Sequence, residues 1–152
     1  MRTAVLLMKD QRNEALAHHM GKRLAVLVPS TSDVAAVVPV PLHWTRRLWR
    51  GYNQSATLAY ALANTCKLPI SFHWLWRRLQ TPMQVSVTPI QRRKNLLSAM
   101  KARLPGSLKG KTILLVDDVM TTGATAEACT RALLDAGAGS VFVVVVARAV
   151  GH

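Results

Sequence analysis

Two adjacent carboxylates, Asp117 and Asp118, lie where an apolar run meets a loop of small and hydroxylic residues. The apolar run, residues 113–116, is typical of a buried strand. The loop consists of Thr121, Thr122, Gly123, Ala124 and Thr125. Beyond the loop, apolar side chains recur at helical spacing as far as Ala136. The pattern therefore predicts a strand, an acidic pair, a short loop and a helix in direct succession.

This succession suits a ligand that carries both a phosphate and hydroxyl groups. The first N–H groups of a helix have no intrahelical acceptor and carry partial positive charge, so they bind phosphate, and threonine hydroxyls add donors. Carboxylates instead accept hydrogen bonds from hydroxyl groups, as on a ribose, or hold Mg²⁺ with its waters. The alternative is a plain strand-to-helix turn with Thr122 as N-cap and both carboxylates solvated. We favour the ligand site, because a buried strand seldom ends in two unpaired carboxylates without a use.

The stretch VDDVMTTGAT, residues 116–125, resembles the phosphoribosyl pyrophosphate (PRPP) signature of type I phosphoribosyltransferases. The resemblance implies that Asp117 and Asp118 grip the ribose 2′- and 3′-hydroxyls, and that the loop cradles the 5′-phosphate. It also implies Mg²⁺ as the companion of PRPP. A phosphoribosyl-binding site that has lost catalysis would carry the same motif, so the motif alone leaves both alternatives open.

Length and composition indicate one globular unit. A chain of 152 residues, half of them hydrophobic, fits a single domain with a sizeable core, and we expect residues 1–152 to form it. The longest apolar run, residues 141–147, is too short to span a bilayer, so we expect no membrane insertion. Two isolated cysteines, Cys66 and Cys129, make neither a zinc site nor a disulfide framework and indicate a reducing cytoplasm.

The charge balance favours anionic partners. Lys and Arg number 20 against 7 Asp and Glu, which gives a net charge of +13. Residues 44–54, WTRRLWRGYNQ, place three arginines among aromatic side chains. This composition suits single-stranded DNA, through phosphate pairing and base stacking, and it suits pyrophosphate equally well. A non-catalytic protein that binds single-stranded DNA is therefore the alternative to an enzyme.

The remaining patterns predict the elements that position this site. We expect helices from Arg12 to Leu27 and over residues 54–66, and strands over residues 34–38 and 72–76. Residues 96–111 read as a basic linker. Residues 141–146 form a continuous β-branched and aromatic run, which predicts a strand buried on both faces and a parallel βαβ unit with the central motif. The fold class is therefore α/β.

Further segments resemble one subgroup, the ComF/GntX-like phosphoribosyltransferases. The segments are PVPLH (39–43), RGYNQ (50–54), TPMQ (81–84), and the pair Arg92 and Asn95. The resemblance implies a type I phosphoribosyltransferase fold, with a parallel-rich sheet flanked by helices and a small irregular hood. Many members begin with a cysteine-rich zinc module that this sequence does not show, and members often place a basic residue where Gln80 stands. Members are associated with uptake and use of external DNA, so competence-machinery proteins are candidate partners.

The resemblance also assigns roles. Transfer of ribosyl 5-phosphate from Mg²⁺–PRPP to a nucleophile, with release of pyrophosphate, would depend on Asp117, Asp118 and Arg92. Leu42 and His43, with Arg46 or Arg50, would face pyrophosphate. Arg92 and Asn95 would belong to a lid over residues 81–95 that closes on PRPP. The acceptor is not implied.

Overall fold

The computed structural model describes residues 14–28, 33–42, 53–78 and 95–149. In chain order its helices and strands are α1 (Glu14–Leu24), β1 (Val34–Pro39), α2 (Gln54–Cys66), β2 (Leu75–Arg77), β3 (Met100–Ala102), β4 (Thr112–Met120), α3 (Ala124–Asp135) and β5 (Ser140–Arg148). Short 3₁₀ turns occupy Ala25–Leu27 and Gly106–Leu108, and residues 95–99 are helical.

A parallel sheet with the strand order β1-β4-β5 forms the centre of the fold. The middle strand, β4, pairs with a parallel neighbour on each side, so that Val116 lies beside both Pro39 and Val144. Parallel strands need crossover connections, and here helices α2 and α3 supply them. The predicted α/β class and the parallel pairing around the central motif are confirmed.

Each face of the sheet is covered by a different layer. Successive side chains of β4 point to opposite faces, so this strand contributes to both of the resulting cores. On one face, Leu114 and Val116 pack in a core with Leu58 and Leu62 of α2, and α1 closes this layer. On the other face, Ile113 and Leu115 pack with the buried side of α3. The antiparallel pair of β2 and β3, called the hood below, joins this second core through Leu75 and Met100.

Two expectations about the strands are corrected. β4 does not stop before the acidic pair, because the ladder to β5 continues with Asp117 opposite Val145 and Met120 opposite Arg148. β5 is not buried on both faces, since Phe142 and Val143 are 45% and 38% exposed. Within the described ranges, β5 pairs with β4 alone, and a β-branched composition does not distinguish an edge strand from a central one.

The expected linker over residues 96–111 is also wrong. Residues 95–99 are helical, and β3 pairs antiparallel with β2, which begins at Leu75 rather than at residue 72. Strands of three residues are too short to show an alternating pattern, so their pairing is a tertiary effect. None of the helices in the described ranges has the length and apolar character needed to cross a membrane.

The contact between α1 and α2 predicts a sensitive position. A Cβ atom added at Gly21 would lie 2.5 Å from the Leu58 carbonyl oxygen and 2.8 Å from the Ala61 Cβ. We expect Gly21→Ala to lower the free energy of unfolding by about 1–2 kcal/mol, because overpacking outweighs the better helix propensity of alanine. Urea denaturation measures this change. Gly106→Ala is the matched control, since nothing lies within 4 Å of its added Cβ, and equal effects of the two substitutions would contradict the prediction.

Candidate functional site

The site lies at the carboxyl edge of the parallel sheet, where β1 and β4 end and α2 and α3 begin. The backbone N–H of Val40 donates to the Val116 carbonyl at 2.9 Å and continues the parallel pairing past the end of β1. The Asn53 side-chain Nδ2 donates to the Val40 carbonyl at 3.2 Å, which ties the start of α2 to the same edge. Crevices at the carboxyl ends of parallel strands are the usual ligand sites of α/β folds.

Asp117 is the buried member of the acidic pair, with 8% of its surface exposed. Its Oδ1 accepts the Ser55 hydroxyl and the Asp118 backbone N–H, each at 2.9 Å. Burial, followed by the charge of Asp118, raises the pKa of Asp117 to about 7, and the two hydrogen bonds partly oppose that rise. The side chain is therefore oriented by two donors, while burial makes its ionised form less favourable than that of an exposed carboxyl group.

Asp118 is half-buried, and its Oδ1 accepts the backbone N–H of Val119 at 2.7 Å. Each carboxylate of the pair thus accepts the N–H group of the residue that follows it. The backbone of β4 therefore supplies one hydrogen-bond donor to each of the two side chains.

The loop after β4 exposes the amino end of α3. Gly123 is the N-cap residue and has φ 78°, a left-handed conformation that glycine adopts at little cost. Thr122 is therefore not the N-cap that the plain-turn alternative required, although its Oγ1 accepts the Ala124 N–H at 3.4 Å. Because a glycine N-cap brings no side-chain acceptor, the first turn of α3 keeps N–H groups available for an anion.

Beneath the loop, Cys129 of α3 is fully buried, and burial, with the charge of Asp117 next, raises the pKa of its thiol to about 12. Such a thiol is not a nucleophile. Arg77, the last residue of β2, opposes this rise, so its charge lies close enough to act on the same region. The hood packs against α3, since Leu75 of β2 lies in the same core as Cys129.

The structure brings together part of the predicted site. Asp117, Asp118 and the loop of residues 121–125 lie at one edge, and Leu42 follows the end of β1 at the same edge. Asn95 begins the helical residues that precede β3 in the hood. The other predicted side chains lie outside the described residues, and these are His43, Arg46, Arg50 and Arg92.

Two polar residues at the start of α2 were not given roles from the sequence. Ser55 contacts Asp117, and Gln54 is 1% exposed. Neither amide atom of Gln54 has a hydrogen-bond partner in the part of the chain that the structure describes, which is costly for a buried group. Their sequence signal is their position at the beginning of a predicted helix, where Gln54 ends the RGYNQ segment and Ser55 follows it.

Comparison with known families assigns the class of protein. A family model described as the phosphoribosyl transferase domain matches residues 52–151, which include α2, the hood and the whole β4–α3–β5 unit. The chain belongs to this phosphoribosyl transferase domain family.

Curated relatives refine this assignment. The chain is 36% identical over 108 residues to the DNA utilization protein YhgH of Escherichia coli O157:H7, across 70% of this chain and 46% of the relative. It is 32% identical over 115 residues to the competence protein F of Haemophilus influenzae, across 75% of this chain and 50% of the relative. The resemblance to the ComF/GntX-like subgroup is confirmed, and the chain spans about half the length of these relatives.

Solved structures agree on the fold. The glutamine PRPP amidotransferase of B. subtilis superposes with a TM-score of 0.59 at 21% identity, over 90% of this chain and 27% of that one. A hypothetical protein from Neisseria gonorrhoeae with bound ppGpp superposes with a TM-score of 0.56 at 18% identity, over 90% and 69% of the two chains. The type I phosphoribosyltransferase fold expected from the sequence is confirmed.

The environment of Asp117 predicts an unusual pH dependence of stability. The pKa of Asp117 is raised from 3.8 to about 7 on folding. Its contribution to the free energy of unfolding is therefore fully present below pH 4 and is lost as the pH rises through 7. In Asp117→Asn, we expect this loss of up to about 1.4 kcal/mol per pH unit to disappear. Urea denaturation between pH 4 and 8 measures the difference.

The control for this experiment is Asp135→Asn, which removes a carboxylate that is 67% exposed. Its stability curve should keep the shape of the parent curve. If Asp117→Asn also kept that shape, the proposed environment of Asp117 would be wrong.

Proposed function

We propose that this protein binds Mg²⁺–PRPP and transfers ribosyl 5-phosphate to a nucleophile with release of pyrophosphate. The observation that carries the proposal is the acidic pair held near the carboxyl end of β4, one short loop before the amino end of α3, whose N-cap is Gly123. In that arrangement the carboxylates can accept hydrogen bonds from the hydroxyl groups of a ribose 5-phosphate. The N–H groups of the loop and helix can donate hydrogen bonds to its phosphate. Membership of the phosphoribosyl transferase domain family supports it.

In this proposal, Asp117 and Asp118 accept hydrogen bonds from the ribose 2′- and 3′-hydroxyls. The N–H groups and threonine hydroxyls of residues 121–125 hold the 5′-phosphate. As the bond to pyrophosphate breaks, positive charge develops on the sugar and negative charge on the leaving group, so placed charges and dipoles lower the barrier. Leu42, His43 and Arg50 (or Arg46) would face the pyrophosphate, and Arg92 with Asn95 would close over it.

The donor set fits Mg²⁺ as a companion of the substrate. Among the described residues, no group of three or more His, Cys, Asp or Glu side chains could hold a metal ion. Asp117 and Asp118 would supply carboxylate oxygens, the ligand type that Mg²⁺ prefers, and Asp118 is the more accessible of the two. When bound, Mg²⁺ would neutralise charge on the pyrophosphate.

A link to DNA is the second candidate function, and the names of the relatives favour it. One is a DNA utilization protein and the other a competence protein. We propose that the chain acts in DNA uptake or use, where single-stranded DNA and competence-machinery proteins would be partners. The net charge of +13 supports an anionic partner.

Cys66 and Cys129 are free thiols, which supports a cytoplasmic location.

PRPP binding is tested by Asp118→Asn, which removes a carboxylate at nearly constant shape. We expect the affinity for Mg²⁺–PRPP, measured by calorimetry, to fall by about tenfold or more, as for loss of a hydrogen bond to a charged group. Asp135→Asn at the far end of α3 is the control and should bind like the parent. Unchanged affinity in the folded Asp118→Asn variant would remove Asp118 from the site.

DNA binding is tested by salt titration. We expect the affinity for a single-stranded oligonucleotide to fall steeply as the salt concentration rises, because neutralised phosphates release counterions. Replacing both Arg46 and Arg50 with alanine should flatten the slope, whereas replacing the ion-paired Arg131 of α3 should leave it nearly unchanged. A flat titration of the parent protein, or no binding at low salt, would eliminate this second candidate.

A further inference from the structure

Ser55 makes a hydrogen bond that connects the start of α2 to the acidic pair. Its Oγ lies 2.9 Å from Asp117 Oδ1, and the two residues are 62 positions apart in the chain. Ser55 is 4% exposed, so water does not compete freely for this bond. The same Oδ1 accepts the Asp118 N–H, also at 2.9 Å, while Oδ2 takes part in neither bond. Two donors on Oδ1 therefore fix the rotation of the carboxyl group and leave Oδ2 pointing away from both of them.

The serine is itself held in place by its helix. The carbonyl of Asn53 accepts the N–H groups of Ala56 and Thr57 and begins the helical ladder, while the Asn53 side chain is bonded to Val40. One turn beyond Ser55, Leu58 is fully buried in the core that contains Val116 of β4. The Ser55 hydroxyl thus has little freedom to move away from Asp117.

We propose that Ser55 is a positioning residue that orients Asp117 so that Oδ2 is presented to the hydroxyl groups of the ribose. This inference rests on the proposed PRPP-binding function. It adds Ser55 of α2 to the acidic pair as a residue that orients one of the two carboxylates. A hydroxyl donor favours a carboxylate that accepts, which is the form a ribose hydroxyl needs. Without Ser55, the carboxyl group of Asp117 would lose one of the two donors that hold its Oδ1 and would keep the Asp118 N–H.

The test is a double-mutant cycle on Mg²⁺–PRPP affinity, measured by calorimetry on the full chain. We expect Ser55→Ala to weaken binding roughly tenfold, the size of a lost hydrogen bond to a charged group. Ser55→Thr keeps the hydroxyl and should recover most of the affinity. In the Asp117→Asn background, Ser55→Ala should cause almost no further loss, because its effect passes through Asp117.

Thr65→Val provides a matched control on the same helix. The Thr65 hydroxyl donates to the Ala61 carbonyl at 2.8 Å, ten residues and about 15 Å along α2 from Ser55. Its loss should leave binding unchanged. Urea denaturation of each variant confirms that the folded protein is being compared.

The outcomes separate the two proposals. If the parent binds Mg²⁺–PRPP and Ser55→Ala binds equally well, the positioning role is overturned and the proposed function stands. Additive losses in the cycle would also overturn it, since they would mean a structural effect independent of Asp117. If the parent does not bind Mg²⁺–PRPP, the proposed function and the role of Ser55 fail together.

Discussion

The parallel pairing of β4 on both sides is the constraint on which the rest of this structure depends. A strand with two parallel neighbours needs crossover helices, and these cover both faces of the sheet. Ile113, Leu114, Leu115 and Val116 are consequently all buried, although their side chains alternate between two cores. Polar groups cannot be placed along this part of the strand, so the carboxylates occur only where the cover ends.

The same geometry explains the electrostatics of the acidic pair. Asp117 lies just beyond the core, buried enough for its pKa to rise to about 7, yet within reach of donors from Ser55 and its own backbone. Asp118 is one residue further and more exposed. Two adjacent carboxylates therefore have different environments, because Asp117 is buried beside the core and Asp118 is half-buried.

The amino ends of two helices complete the site from opposite sides of the sheet. α3 follows the loop directly and offers N–H groups behind a glycine N-cap, whereas α2 reaches the same edge through the contacts of Asn53 and Ser55. The hood packs against α3, since Leu75 and Met100 share a core with Cys129. The ends of β1 and β4 and the starts of α2 and α3 thus meet at one edge of the sheet, where the proposed PRPP site lies.

The sequence by itself determined the central motif, the α/β class and the family. A buried strand, an acidic pair, a glycine-containing loop and a helix are local patterns, and α2 was predicted with the bounds that the structure has. Asp117, Asp118 and residues 121–125 were identified as a unit because they are consecutive in the chain. Their proposed ligand came from the resemblance to phosphoribosyltransferases.

Only the tertiary structure decided how these residues are held. The partner of Asp117 is Ser55, 62 residues away, and no local pattern reports a contact of that separation. The pairing of β2 with β3 was likewise not predictable, because strands of three residues are too short to show a period. The exposure of Phe142 and Val143 on β5 was not predictable either, because apolar strands have similar sequences at the edge and in the centre of a sheet. Sequence patterns record which face of an element is apolar, whereas burial, pairing and proton affinity depend on what the folded chain places against that face.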